Sequence, residues 1–407
     1  MASNRQTIRP RLINAPVPVI LPRKRLSSFY FWYYGLLGLL HPFWPLFLVH
    51  SHFDATEIGQ LLAIQMGTRI VSPNLWGWLA DRSGRRVSTI RWGSALGCLS
   101  FAAIFLSEGF WSMALVMALY SFFWNAVMPQ FEALTLDYLH GEPQRYSQLR
   151  LWGSVGFIAS VLLGGFWFES RIQDFALAGW LFLLFIWLSS LTVPPLDHPP
   201  QRDSGRGFAV HVWRKPVATF LVVSFLLQVA HGIYYAFYSL QLEQQGYSRG
   251  TIGAFWAFSV VAEIGLFLLM RRWMTNWTLA GILIVSLALT AVRWLMISHL
   301  SFSAGALIIA QSLHAFSFGA CHAVSVEYLR RFFPAHHRGQ AQALYSSLSF
   351  GAGGAVGALM GGLLWQDLQR YTFDVAALLT FLAMVLAIVY LRDDRYETRV
   401  PVQTNAD

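Results

Sequence analysis

The sequence predicts an all-α membrane protein in which twelve transmembrane helices form two pseudo-symmetric bundles of six. Three observations lead to this prediction. Of the 407 residues, 56% are hydrophobic and 12% are charged, whereas an ordinary soluble domain has about 25% charged residues. The chain contains twelve apolar segments long enough to cross a hydrocarbon core of about 30 Å. Its two halves also resemble each other in sequence.

The spans are runs of 18 or more mostly apolar residues, because about 20 helical residues cross the bilayer core. Their approximate limits are 28–50, 57–80, 88–107, 110–138, 150–169, 174–194, 217–241, 250–271, 277–298, 302–329, 339–364 and 372–391. We predict a basic tail (1–27), an N-terminal bundle (28–194), a polar linker (195–216), a C-terminal bundle (217–391) and a second tail (392–407). The first tail has no small-residue cleavage site before the first span, so a signal peptide is not expected.

The net charge of +9 follows the positive-inside rule and is not a sign of nucleic-acid binding. With both termini inside, 24 of the 29 Lys and Arg residues fall on cytoplasmic segments and span ends, against 3 outside. We therefore expect a multi-pass protein of the plasma (bacterial inner) membrane with both termini in the cytoplasm and the lipid bilayer as its surroundings.

Several function classes have no support in the sequence. Cys98 and Cys321 lie far apart in apolar spans without a metal-binding spacing, so neither a metal nor a cofactor is expected. There is no Walker loop, no GxGxxG after a strand and no GxSxG elbow. ATP-driven transport, hydrolysis and enzymatic activity in general are therefore not predicted. The protein is expected to be a monomer.

An internal repeat aligns the halves at an offset of 190 to 194 residues. TEIGQLLA (56–63) matches GTIGAFWA (250–257), and LDYL (136–139) matches VEYL (326–329). The same offsets align four pairs of ionisable residues: His41 with His231, Glu132 with His322, Asp137 with Glu327, and Arg69 with Glu263. Transporters are commonly built from two such repeats, with the substrate site between them.

Ionisable residues inside spans are the candidate functional residues. A charge at the bilayer centre costs about 2.5–3.5 kcal/mol even on permissive scales, so such groups face the bundle interior or a wet cavity. For Glu263, in SVVAEIGLF, two interpretations stay open: a structural ion pair, or a proton carrier with His231 and His314 as relay partners. Pairing of Glu263 with Arg293 also stays open.

Arg69 has no acid at its own depth in its half of the chain. It pairs with an acid of the other half, reaches Glu132, or awaits an anionic substrate, for which a guanidinium is suited. The segments HPFWPLF (41–47) and HGIYYAFY (231–238) place aromatic residues beside span histidines. An aromatic-lined cavity suits a ligand that contains a ring. The candidate substrate-binding residues are Arg69, Arg293, His41, Trp44, Tyr234 and Tyr235.

The junction of the second and third spans reads GWLADRSGRR (77–86). It matches the GxxxDRxGRR loop of the major facilitator superfamily, with Gly77, Asp81, Arg82, Gly84, Arg85 and Arg86 at the motif positions. In this loop Asp81 is placed to accept hydrogen bonds from helix N-terminal amides and to pair with Arg85 or Arg86.

Within that superfamily the chain resembles the phenylpropionate permease group. The similar segments are GLLHPFW (38–44), RLWGSVGF (150–157), LQVAHGIYYAF (227–237), SVVAEIGLF (259–267), AVRW (291–294), LHAFSFGACH (313–322) and QALYS (342–346). The resemblance implies the facilitator fold, alternating access coupled to protons, and functional roles for Arg69, Glu132, His231, Glu263, Arg293, His314 and His322. His41 departs from the apolar residue expected at its position, which leaves the ligand open.

The sequence thus predicts a proton-coupled symporter that imports a small aromatic carboxylate. Arg69 or Arg293 would hold the carboxylate, and Glu263 with His231 and His314 would handle the proton. Glu132 and His322, also counted as proton-coupling residues, would gate the transporter or relay the proton on the cytoplasmic side. The alternatives are a symporter of sugars or nucleosides, a drug/proton efflux antiporter, and a receptor or enzyme that transports nothing.

Overall fold

The structure, a computed structural model, describes residues 21–139, 143–196 and 208–391. Within these ranges the chain forms twelve long helices and no strand. In chain order they are α1 Arg23–His50, α2 Ala55–Ser83, α3 Arg86–Ala102, α4 Phe110–Tyr138, α5 Pro143–Phe168, α6 Phe175–Thr192, α7 Lys215–Gln244, α8 Arg249–Asn276, α9 Leu279–Leu300, α10 Ala304–Phe332, α11 Arg338–Leu368 and α12 Thr372–Tyr390. A short helix, Phe208–Val212, precedes α7.

Two of the helices contain π-helical segments. In α10 this segment is Ala315–Ala320, between Ala304–Ser312 and Cys321–Phe332. In α11 it is Ser347–Gly353, between Arg338–Ser346 and Gly354–Leu368. Such segments are rare in proteins and are frequent at functional sites. Both lie in the C-terminal half, and that of α10 directly follows His314.

Nine helical segments in the described ranges are long and apolar enough to cross a membrane. One of them, Ala335–Tyr390, contains both α11 and α12. The other two long helices, α1 and α2, are less apolar, because α1 contains His41 and two prolines and α2 contains Arg69 with several amides. The twelve helices are consistent with the twelve predicted spans.

Several helices are longer than the apolar runs that predict them. Helix α1 begins at Arg23, inside the segment predicted as a tail, and α5 begins at Pro143, seven residues before the predicted limit. The helical backbone satisfies its own hydrogen bonds, so a helix continues through the headgroup region after the apolar run ends. The rest of the predicted tails, residues 1–20 and 392–407, and half of the predicted linker, residues 197–207, lie outside the described residues.

The helix contacts repeat between the halves with a shift of six helices. In the N-terminal bundle α1 packs on α5 and α6, α3 packs on α4 and α6, and α2 packs on α4. In the C-terminal bundle α7 packs on α11 and α12, α9 packs on α10 and α12, and α8 packs on α10. Between the bundles the main contacts are α2 with α11, α5 with α8, and α1 with α7. The two bundles are therefore pseudo-symmetric.

The bundles approach most closely on one side, which we call the far side, where α1 ends and α2 begins. The terminal side is the opposite one, where α1 begins and α12 ends. On the far side, a Cβ at Gly59 of α2 would lie 2.8 Å from the Cα of Gly362 of α11. In the equivalent contact, a Cβ at Gly253 of α8 would lie 2.6 Å from the carbonyl oxygen of Val161 of α5. Backbones this close seal the space between the bundles on the far side.

Candidate substrate and proton site

The space between the bundles, here called the chamber, contains Arg69 of α2. The Arg69 Nε donates a hydrogen bond of 3.1 Å to Oδ1 of Asn125 on α4. In the described part of the chain its two terminal nitrogens have no hydrogen-bond partner, and the side chain is partly exposed. Its charge acts on His41 and on Tyr235, which belong to different bundles. Arg69 therefore directs an unpaired cation into the chamber.

Arg69 has a neutral partner and not a carboxylate. Among the described residues Arg69 forms no ion pair, either with Glu132 or with an acid of the other bundle. Its partner is the neutral amide of Asn125. Sequence reasoning missed Asn125, because a single neutral amide in a span gives little signal beside charged residues.

Arg150 of α5 is a second chamber cation, and sequence reasoning missed it too. Its guanidinium lies over the ring of Tyr34 at 3.5 Å from the centroid. Its charge acts on Glu132 of α4, on Glu263 of α8 and on His322 of α10. From the sequence, Arg150 counts among the basic residues at cytoplasmic span ends because the apolar run begins there, although it also begins the segment RLWGSVGF. Since α5 begins seven residues earlier, Arg150 lies one to two turns inside the helix.

Each bundle brings one carboxylate near Arg150. Glu132 accepts a 3.2 Å hydrogen bond from the hydroxyl of Tyr146. Glu263 packs beside Gly319 of α10, where a Cβ on the glycine would lie 3.1 Å from the Glu263 Cγ. Within the described ranges no side chain forms a hydrogen bond or an ion pair with Glu263. This leaves a carboxyl group that can bind and release a proton without breaking a fixed ion pair.

Arg293 of α9 lies inside the C-terminal bundle. It is fully buried and donates hydrogen bonds to Ser317 at 3.1 Å and to Gln311 at 3.0 Å. Its guanidinium carbon lies 4.2 Å from the ring centroid of Tyr234 and 4.4 Å from that of Trp294, in cation–π geometry. The pairing of Arg293 with Glu263 does not form. Arg293 and Tyr234 have no access to the chamber in this conformation.

Three span histidines lie close together in the C-terminal bundle. His231 of α7 uses Nδ1 for a 2.8 Å bond to the carbonyl of Leu227, and its ring is 6.5 Å from that of His314. His314, Phe318 and His322 form a parallel stack along α10, with centroid spacings of 5.8 and 6.0 Å. The second nitrogen of His231 and the Nδ1 atoms of His314 and His322 are buried without a partner among the described residues. At these spacings the three imidazoles form no direct hydrogen bond with one another.

The predicted aromatic residues separate into two groups. His41 stacks on Tyr235 with centroids 4.7 Å apart, and Trp256 lies 5.9 Å from His41. These rings join the bundles beside Arg69. Trp44, in contrast, is 1% exposed in the core of the N-terminal bundle, where it packs on Phe101 and Phe175. Trp44 therefore does not line the chamber in this conformation.

The motif loop joins α2 to α3 on the terminal side. Arg86 donates to Asp81 at 3.1 Å and to Asp137 of α4 at 2.6 Å, so one guanidinium connects three helix ends.

Gly84 ends α2 with φ 65°, a conformation that glycine adopts without strain. Arg82 lies over Trp78. Gly77 lies close to Gln130, where a Cβ would be 3.2 Å from its amide nitrogen, and Arg85 directly precedes α3.

The C-terminal bundle has an equivalent charge cluster at the end of α10. Glu327, aligned by the repeat with Asp137, pairs with Arg330 at 2.6 Å and with Arg331 at 2.8 Å.

In the described residues no group of three or more His, Cys, Asp or Glu side chains is arranged to hold a metal ion.

The comparisons with known proteins agree with this architecture. The model of the MFS_1 like family matches residues 24–375. The chain belongs to this family of major facilitator transporters. It is 28% identical over 382 residues to a probable 3-phenylpropionic acid transporter of Escherichia coli (strain K12), covering 90% of this chain and 98% of the relative. It is 25% identical over 360 residues to a maltose permease of Geobacillus stearothermophilus, covering 85% and 89%.

Solved structures show the same fold. A crystal structure of a variant of the nucleoside transporter NupG superposes with a TM-score of 0.79 at 16% identity, covering 91% of this chain and 98% of that one. The protein is thus a multi-pass integral membrane transporter of the major facilitator type, with two six-helix bundles and a small-molecule substrate.

Proposed function

We propose that the protein is a proton-coupled symporter that imports a small aromatic carboxylate by alternating access. One observation supports this proposal above all others: Arg69 directs its two terminal nitrogens into the chamber with no acid among the described residues to neutralise it. A guanidinium in this state binds a carboxylate through two parallel hydrogen bonds. The related probable 3-phenylpropionic acid transporter, at 28% identity, fits the same class of substrate.

The ring of the substrate would lie against Tyr235, where His41 stacks in this conformation. Tyr235 is partly exposed, and Trp256 lies 6.3 Å from it in a parallel orientation. Offset stacking between aromatic rings contributes about 0.5–1.5 kcal/mol beyond buried area. A carboxylate at Arg69 and a ring at Tyr235 would therefore hold the substrate between the bundles.

Glu263 would bind the coupled proton, and His231, His314 and His322 would connect it to water. A carboxyl group with no fixed partner is neutral when protonated and charged when not. Moving the neutral form through a closed, dry state costs much less than moving the bare anion. The loaded transporter would therefore change conformation only when Glu263 is protonated. Arg150, near Glu263 and Glu132, would stabilise the deprotonated form.

With both termini in the cytoplasm, the sealed far side would face the outside, and this conformation would be the one that releases substrate inward. The experiment is uptake of 3-phenylpropionate into proteoliposomes under an inward proton gradient. We expect accumulation that a protonophore abolishes, and we expect binding that strengthens as pH falls, because coupling between proton and substrate is reciprocal. Export of dyes without accumulation of any aromatic acid would contradict symport.

A second candidate is symport of a sugar, favoured by the 25% identity to a maltose permease. Glu132, Tyr146 and Arg150 together present donors and acceptors that suit hydroxyl groups. The same proteoliposomes distinguish the two candidates, because accumulation of maltose without 3-phenylpropionate would replace the first with the second. Binding of either without flux would indicate a receptor on the transporter scaffold.

A further inference from the structure

Asn125 holds Arg69 in a defined orientation. It is 5% exposed, and its amide oxygen accepts the bond from Arg69 Nε. Its amide nitrogen donates to Thr68 Oγ1 at 2.8 Å and to the carbonyl of Gln65 at 3.3 Å. Because the nitrogen has two acceptors and the oxygen has a cationic donor, the amide has one favourable orientation. The bond at Nε leaves the two terminal nitrogens of Arg69 free for a ligand.

The residue at this position also decides the charge of the site. An aspartate has the same shape as asparagine and would accept the same hydrogen bond, but it would neutralise the guanidinium. The C-terminal bundle also pairs an arginine with a neutral amide, although there Gln311 of α10 accepts from a terminal nitrogen of Arg293 and not from its Nε. In both bundles an amide on the fourth helix orients an arginine and leaves its charge unpaired among the described residues.

We propose that Asn125 is the positioning residue that makes the chamber selective for anions over neutral molecules. It fixes the direction of the Arg69 guanidinium and, being neutral, preserves its charge for the substrate. The part that concerns the transported ligand rests on the proposed function, whereas the part that concerns the charge of Arg69 does not. Two measurements test these parts separately.

The first measurement needs no ligand. Phenylglyoxal modifies the deprotonated guanidine, so an arginine held in an ion pair reacts more slowly than an unpaired one. Peptide mapping of purified protein gives the rate at Arg69, with the exposed Arg82 as internal control. In Asn125→Asp we expect the rate at Arg69 to fall about tenfold or more, as a bond between charged groups implies, while Arg82 is unchanged. Equal rates at Arg69 in the wild type and Asn125→Asp would overturn the proposal.

The second measurement compares the affinities for 3-phenylpropionate and its neutral analogue 3-phenylpropanamide. The wild type should prefer the acid, and Asn125→Asp should lose the preference while it still binds the amide. In Asn125→Ala the charge stays and the orientation is lost, so acid binding should weaken about three- to tenfold with the acid still preferred. Wild-type acid affinity in Asn125→Ala, or an intact preference in Asn125→Asp, would overturn the positioning role.

The two measurements also separate the failure of this proposal from that of the proposed function. A wild type that binds neither probe contradicts an aromatic acid as substrate, and the phenylglyoxal rates still decide whether Asn125 controls the charge of Arg69. If Asn125→Asp does not fold, Asn125→Ala alone tests the proposal. This variant loses the orientation of the guanidinium but keeps its charge, so it should bind the acid more weakly and react with phenylglyoxal at Arg69 no more slowly than the wild type. A slower rate at Arg69 in Asn125→Ala would overturn the proposal.

Discussion

The imidazole of His41 stacks on the phenol ring of Tyr235, with centroids 4.7 Å apart and an interplanar angle of 18°. His41 belongs to α1 and Tyr235 to α7, two helices in equivalent positions of the pseudo-symmetric bundles. Most contacts between the bundles occur through α2 with α11 and α5 with α8. The His41–Tyr235 stack is thus a thin connection across the chamber, and a substrate that uses Tyr235 must displace the imidazole.

We expect His41→Phe to keep this stack and His41→Ala to lose it. A phenyl ring packs on Tyr235 as imidazole does, so His41→Phe should keep its uptake rate and KM within about threefold of the wild type. His41→Ala loses about 0.5–1.5 kcal/mol of a ring contact that the substrate otherwise has to displace, so its KM should be lower than that of the wild type. The measurement is initial uptake rate with its KM, and His50→Phe at the exposed end of α1 is the control. If His41→Phe and His41→Ala were both inactive, a polar function of the imidazole would have to replace stacking.

We expect Glu263→Gln to separate exchange from proton-driven accumulation. Glutamine mimics the protonated carboxyl group, so the loaded transporter can change conformation but no proton is released. Accumulation under a proton gradient should fall to background, while exchange of labelled for unlabelled substrate continues. Glu108→Gln, at an exposed far-side position, is the control and should accumulate normally. Proton-driven accumulation by Glu263→Gln would remove Glu263 from the coupling mechanism.

We expect Arg86→Gln to slow the conformational change without weakening substrate binding. Arg86 connects Asp81 and Asp137 at 3.1 and 2.6 Å, on the terminal side and away from Arg69. Its loss removes both of these ion pairs, at a cost on the order of 1 kcal/mol. Turnover should fall several-fold with an unchanged Kd. Arg82→Gln removes a contact with Trp78, the only one that Arg82 makes through its guanidinium among the described residues, and should leave turnover near that of the wild type. An equal loss in both variants would contradict a specific role for Arg86.

The fold could be predicted from the sequence because a bilayer permits few structures. A spanning segment must satisfy its backbone internally, so apolar runs become helices, and the repeat then indicates two equivalent bundles. The sequence also singles out Arg69 and Glu263 as candidates, since charges at membrane depth are costly enough to be informative. The boundaries were less predictable, because helices such as α5 continue past their apolar runs.

The partners of these charges were not predictable, because they depend on which helix faces which. Asn125 is neutral and gives no signal of its own, and Arg150 lies at the end of an apolar run where arginine is common. Trp44 is only three residues from His41, yet it packs in the N-terminal bundle while His41 reaches the chamber. Three residues rotate a helix by about 300°, so residues this close share a neighbourhood without sharing a face.

Gly59 of α2 lies where the far side closes, and Gly67 lies two turns further along the same helix. A Cβ at Gly59 would lie 2.6 Å from the carbonyl oxygen of Ala358 and 2.8 Å from the Cα of Gly362, whereas a Cβ at Gly67 would meet nothing within 4 Å. Both groups that Gly59 meets are backbone atoms of the other bundle, which cannot turn aside. Gly59→Ala should therefore weaken far-side closure by about 1–3 kcal/mol, the usual cost of overpacking.

The expected result is a population opened on the far side in Gly59→Ala and absent in Gly67→Ala. Spin labels on His50→Cys of α1 and Asp367→Cys of α11, in a background without Cys98 and Cys321, report the distance between the bundles on that side. Gly59→Ala should add a longer distance and reduce net accumulation, because a transporter that does not close on the far side does not open on the other. Gly67→Ala makes the same change in helix propensity, but its added Cβ meets no atom within 4 Å. If folded Gly59→Ala kept the distance distribution of the wild type, the close contact at Gly59 would have no part in gating.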